Sequence, residues 1–83
     1  MSKPWFVYII ETESKILYTG ITIDVEKRFK THAEGKGAKF FRIHRPKSVV
    51  YINQVECKEI ALQRENQIKK LSAQEKRKLI GKT

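Results

Sequence analysis

Five polar side chains stand where hydrophobic periodicity and strand pattern would favour apolar ones: Tyr8, Tyr18, Arg28, His32 and Glu65. Arg28 and His32 are four residues apart, so on a helix they stack on one face, beside the apolar stripe of Val25 and Phe29. Ala61, Glu65 and Ile68 follow an i, i+4, i+7 spacing, which puts a carboxylate into what reads as a buried stripe. A buried carboxylate needs a partner, because an unpaired charge inside a protein costs several kcal/mol. That partner is a cation, a metal or a proton, and a structural ion pair to an arginine such as Arg28 serves as well as a functional role. Tyr8 and Tyr18 lie in consecutive strand-like segments, opposite or diagonal to each other across a turn near residue 13. A buried tyrosine ordinarily just anchors its hydroxyl in a hydrogen bond. Together with a guanidinium, an imidazole and a carboxylate, the pair makes a candidate polar site, although spacing alone does not show that these residues meet.

The charge points to a polyanion. The chain of 83 residues carries 18 Lys+Arg against 9 Asp+Glu, a net charge of +9. Its distribution is uneven: net zero over residues 1–23, +5 over 24–47 and +4 over 48–83. The densest basic run is Lys36, Lys39, Arg42, Arg45 and Lys47, interleaved with Phe40, Phe41 and His44. Cations attract phosphates, and flat side chains stack on unpaired bases or ribose, so this run is the candidate nucleic-acid-binding segment. Core packing is the plainer reading of the two phenylalanines.

Other function classes fall away. No apolar run approaches the ~20 residues of a transmembrane helix, and Met1-Ser2-Lys3-Pro4-Trp5 lacks signal-peptide organisation, so no membrane role is expected. A single cysteine, Cys57, allows no internal disulfide and no cysteine-rich zinc site, and reads as a small structural hydrophobe. A reducing, cytoplasmic location fits that usage.

The elements that must position the site follow from local signals. Trp5–Ile10 is a continuous run of β-formers, suited to a strand buried on both faces, and Ile16–Ile21 is a second strand joined to it in a hairpin. Asp24 caps a helix running to about Ala33, with Gly35 and Gly37 as stop signals. Residues 35–47 read as a glycine-containing basic loop ending at Pro46. Ser48–Val55 is a third strand, Lys58–Leu71 a second helix, and Ser72-Ala73-Gln74-Glu75 a capping box that starts a short third helix ending near Gly81. The predicted architecture is a single α+β domain spanning 1–83, β-β-α-β-α-α, with helices on a three-stranded antiparallel sheet.

Placed in order, these residues resemble a known family. Val7-Tyr8 precedes Tyr18-Thr19-Gly20 with nine residues between the tyrosines, followed by Thr22, Asp24, Arg28 and His32 and, far downstream, Glu65 in a helix. This pattern resembles the GIY-YIG nuclease superfamily, in particular its small single-domain bacterial members. The likeness extends through His32–Lys39 and Ile68–Ser72 and covers about Trp5 to Ile80. It departs at Phe6, where the family motif opens with glycine, and at Thr19, where the second motif has isoleucine; both are strand-packing positions.

The resemblance implies a metal-dependent endonuclease that hydrolyses DNA phosphodiester bonds, in a repair or recombination role. It implies one divalent cation, Mg2+ or Mn2+, on Glu65, and a phosphate gripped by the planar fork of Arg28. It makes Tyr8 the general base or water-positioning group, activated by nearby cationic charge, with Tyr18 orienting water or phosphate and His32 relaying a proton. Flanking nucleic acid would lie on Lys36–Lys47. A different class of reading is a basic DNA- or RNA-binding module without significant cleavage; a third is a protein-interaction domain in which Glu65 is an ordinary ion-pair partner. A binder needs only the basic surface, whereas the five polar residues together favour the enzyme.

Overall fold

In a computed structural model, residues 3–81 are described. Strand β1 (Trp5–Thr12) turns into β2 (Leu17–Thr22), followed by helix α1 (Val25–Ala33), the short helix α2 (Phe40–Ile43), strand β3 (Pro46–Val55) and helices α3 (Lys58–Lys69) and α4 (Ala73–Leu79). The three strands form one antiparallel sheet in the order β2-β1-β3, an α+β architecture.

Central β1 explains the layering. Successive side chains on a strand point to opposite faces, and this strand is apolar at nearly every position because both faces are covered. Val7 and Ile9 enter an aliphatic core with Ala61 and Ile68 of α3, edged by Leu79 and Ile80. Tyr8 and Ile10 enter an aromatic core with Phe41, edged by Tyr18, Val25, Phe29 and Phe40. The sheet is therefore sandwiched between α3 with α4 on one side and α1 with α2 on the other.

Most boundaries agree with the sequence reading, with two differences. The segment 35–47 is not all loop: Phe40–Ile43 forms one helical turn without a side-chain cap, held by the burial of Phe41. Strand β3 begins at Pro46, where Thr12 pairs with Pro46 beyond an irregularity in register at Glu11/Thr12. Proline lacks an N–H and is tolerated at the first residue of an edge strand. The capping box forms as expected: Glu75 N–H donates to Ser72 Oγ and Ser72 N–H donates to the Glu75 carboxylate. Helix α4 is tied back to the hairpin by Arg77, which donates to the Lys15 carbonyl at 2.7 Å and pairs with Glu11 at 3.4 Å.

Candidate active site

Tyr8 pairs with Gly20 and Tyr18 with Ile10, so the two tyrosines share a face as diagonal neighbours on adjacent strands. The glycine is a steric requirement: a Cβ at position 20 would lie 2.5 Å from the Tyr8 hydroxyl oxygen. The hydroxyl end of the Tyr8 ring thus lies against the bare backbone of β2.

Helix α1 brings the next two groups. Asp24 accepts from the Lys27 N–H at its N-terminus. At its C-terminus Gly35, at φ 75°, closes a Schellman motif: Gly35 N–H donates to the His32 carbonyl and Lys36 N–H to the Thr31 carbonyl. This turn folds the following chain back over the helix, so that Gly37 lies directly on the His32 ring, where any Cβ would collide with Nδ1. His32 is completely buried. Its Nε2 lies 3.1 Å from the Tyr8 hydroxyl, and its ring is 4.2 Å from that of Phe41 and 5.7 Å from that of Tyr18, centroid to centroid. Nδ1 has no hydrogen-bond partner among the described residues.

Burial sets the protonation states. It lowers the His32 pKa from its ordinary 6.5 to about 4, with the Arg28 guanidinium adding to the same effect, so the imidazole is neutral at pH 7. Burial raises the Tyr8 phenol above its usual value; the neighbouring Arg28 pulls it down, and Tyr18 and Glu65 push it up. Cationic charge thus stands beside Tyr8 and favours loss of its proton, as the sequence reading expects, while burial outweighs it. Tyr8, Tyr18, Arg28 and His32 are brought together, with Arg28 acting on both members of the hydrogen-bonded pair.

Glu65 differs from the sequence reading. Its side chain is 15% exposed rather than fully buried, and it pairs at 3.4 Å with Lys69, one turn on along its own helix, rather than with Arg28. It belongs to α3, whose Ala61 and Ile68 pack on the opposite sheet face from His32, yet its charge is near enough to Tyr8 to raise the phenol's pKa. Among the described residues no group of three His, Cys, Asp or Glu side chains could hold a metal. One half-buried carboxylate fits a hard cation that keeps several waters and shares a phosphate with its substrate, not an all-protein cage.

The basic run divides. Lys36, Lys39 and Arg42 are exposed on the segment that covers His32, and Arg42 Nε donates to the Gly35 carbonyl at 3.2 Å. Arg45 and Lys47 are exposed at the hairpin end of the sheet, where the Arg45 carbonyl accepts from Glu13 N–H. Sequence reasoning missed the two seating glycines. The signal for Gly20 was its place two residues after Tyr18, within the hairpin; for Gly37 it was a second glycine just after a helix that Gly35 had already ended.

Comparison with known proteins places this chain in a class. The sequence model described as the GIY-YIG catalytic domain matches residues 4–78, and the chain belongs to that family, a nuclease family whose substrates are nucleic acids. Among its relatives, the UPF0213 protein of Syntrophus aciditrophicus (strain SB) is 47% identical over 81 residues, covering 96% of this chain and 92% of the relative. The UPF0213 protein YhbQ of Escherichia coli (strain K12) is 41% identical over 78 residues, covering 94% of this chain and 78% of that protein. The solution NMR structure of the UPF0213 protein BH0048 from Bacillus halodurans superposes with a TM-score of 0.60 at 40% identity, covering 94% of this chain and 83% of that one. Among the described residues no helix is long and apolar enough to cross a membrane.

Proposed function

We propose that this chain is a divalent-metal-dependent endonuclease acting on DNA, with Tyr8, Tyr18, Arg28, His32 and Glu65 as its working residues. The observation that carries this reading is the buried Tyr8–His32 hydrogen bond with Arg28 beside both rings. A neutral imidazole can accept a proton, and a phenol whose pKa is raised does not lose one unaided. The economical route is a relay: an attacking water gives its proton to the Tyr8 oxygen as Tyr8 passes its own to His32 Nε2. The water oxygen bonds to phosphorus, the bond to the leaving oxygen breaks in line, and the leaving oxygen takes a proton from solvent. For Nε2 to accept, the resting imidazole proton must sit on Nδ1. Arg28 holds the non-bridging oxygens through paired donors, and Tyr18 orients the water or the phosphate. Glu65 would hold Mg2+ or Mn2+, which supplies positive charge for the developing phosphorane when bound. Lys36, Lys39 and Arg42 would carry the flanking strand.

The test is cleavage of a panel of linear and branched DNAs with and without Mg2+ or Mn2+. Glu65→Ala should abolish metal-dependent cleavage while DNA binding persists, and Tyr8→Phe should do the same. Cleavage by Glu65→Ala at the wild-type rate would overturn the assignment. Binding without cleavage by the unaltered chain would favour a nucleic-acid-binding module instead.

A further inference from the structure

The Tyr8–His32 pair is the inner end of a connected row of rings that runs out to the surface. Tyr18 touches His32 and stacks on Phe40, with centroids 5.3 Å apart and planes 30° apart. Phe40 in turn faces His44 at 4.8 Å and 36°. Phe41 supports the row from beneath, edge-on to Tyr18 at 4.6 Å and to Phe40 at 5.2 Å. The four residues come from two places: Tyr18 from β2, and Phe40, Phe41 and the C-cap residue His44 from α2.

The outer end is oriented rather than loose. His44 Nδ1 lies 3.1 Å from Ser14 Oγ, which lies 3.0 Å from the Oγ1 of fully buried Thr12. The hairpin turn thereby fixes the plane of a ring at the molecular surface. Phe41 is buried and accounts for the packing of α2, whereas Phe40 and His44 are only half-buried. Phe40 packs on the edge of the aromatic core, and that packing does not account for its remaining exposed surface or for the tethered imidazole of His44. The flanking side chains Lys39 and Arg42 are exposed cations on the same helical turn.

Half-buried rings in mutual contact, tilted by 36° and bordered by cations, offer a flat surface and a positive rim to an unpaired base with its phosphate. Such stacking tolerates any base, since every base has a π-face. We propose that Phe40 and His44 form a stacking site for an unpaired nucleobase, adjoining the candidate catalytic tyrosines, so that the favoured substrate is DNA with a single-stranded nucleotide beside the scissile phosphate. This rests on the nuclease reading for the word substrate, but the stacking site is testable without cleavage.

The experiment compares a short oligodeoxythymidylate with a fully paired duplex of equal length, bound to the intact chain in EDTA. Phe40→Leu removes the flat ring and keeps most of its volume; His44→Ala removes the outer ring where packing is least. Each should weaken single-strand binding about ten-fold and duplex binding less than about two-fold. A 2-aminopurine in the strand should be quenched by the wild type and not by Phe40→Leu, a readout that a purely structural role would leave unmoved. Unchanged single-strand affinity in both variants, or an equal loss for duplex, would overturn the stacking site while leaving the nuclease reading intact. Absence of cleavage with the stacking effects present would do the reverse.

Discussion

The two faces of the sheet are built from the same strand and have little else in common. On the α3 side, Val7 and Ile9 meet Ala61 and Ile68, all essentially without solvent exposure; the buried polar side chains of that face are Thr19, opposite Ile9, and Glu11, which pairs with Arg77 at the hairpin. On the α1 side, Tyr8 meets His32 and Phe41 with similar burial, but two of those three rings carry a polar handle and bond each other; among the described residues His32 Nδ1 lacks a partner, as Thr19 Oγ1 does on the other face. Buried polar groups are expensive unless satisfied, and they cluster where chemistry needs them. The aliphatic face holds the fold together. The aromatic face contributes packing as well, but carries polar features that packing alone does not explain.

Three measurements can break or sharpen that division. The largest expected effect is on the aliphatic side. Ile68→Ala should destabilise the fold by about 2–5 kcal/mol in chemical denaturation, as deletion of a buried aliphatic side chain does. Cleavage per folded molecule should be unchanged, whereas Tyr8→Phe should lose cleavage. A slow Ile68→Ala enzyme at full folding would mean that the faces are not separable.

The next is pH. The fold holds His32 neutral down to about 4, while in the unfolded chain it titrates at 6.5. Between those values the unfolded state binds the extra proton, so stability rises with pH across the window. It is fully present above about 6.5 and is lost as pH falls toward 4, by on the order of 3 kcal/mol. His32→Gln should flatten that portion of the stability curve, and an unaltered slope would place the titrating group elsewhere. The smallest is Gly37→Ala. The added methyl meets the His32 ring, and overpacking of this kind costs about 1–3 kcal/mol. It should also slow cleavage by displacing Nε2 from Tyr8; wild-type cleavage would show that the imidazole need not sit where it does.

What could be read from the sequence was whatever is encoded within a few residues. The Asp24 cap, the Gly35 stop and the Ser72–Glu75 box are local hydrogen-bond patterns and stand as expected. That Tyr8 and Tyr18 are opposite or diagonal followed from the short hairpin, and the strand register makes them diagonal. The partner of Glu65 was legible and overlooked, since Lys69 lies at i+4 on the same helix. Helix α2 was not legible: one turn with no side-chain cap is fixed by the burial of Phe41, a tertiary fact. Nor could spacing show that burial, rather than charge, would dominate both Tyr8 and His32.

The two buried rings have one further property in common. Each occupies the volume that a Cβ would fill on another strand or loop, Tyr8 on Gly20 and His32 on Gly37. The unit that a lineage must keep, or that a designer must transplant, is therefore not a set of reactive side chains but two ring-and-glycine couples. Grafting the side chains alone onto another sheet would deliver the right groups with nowhere to lie. Recovering the site in a distant sequence calls for a template that scores the two empty positions as heavily as the two filled ones.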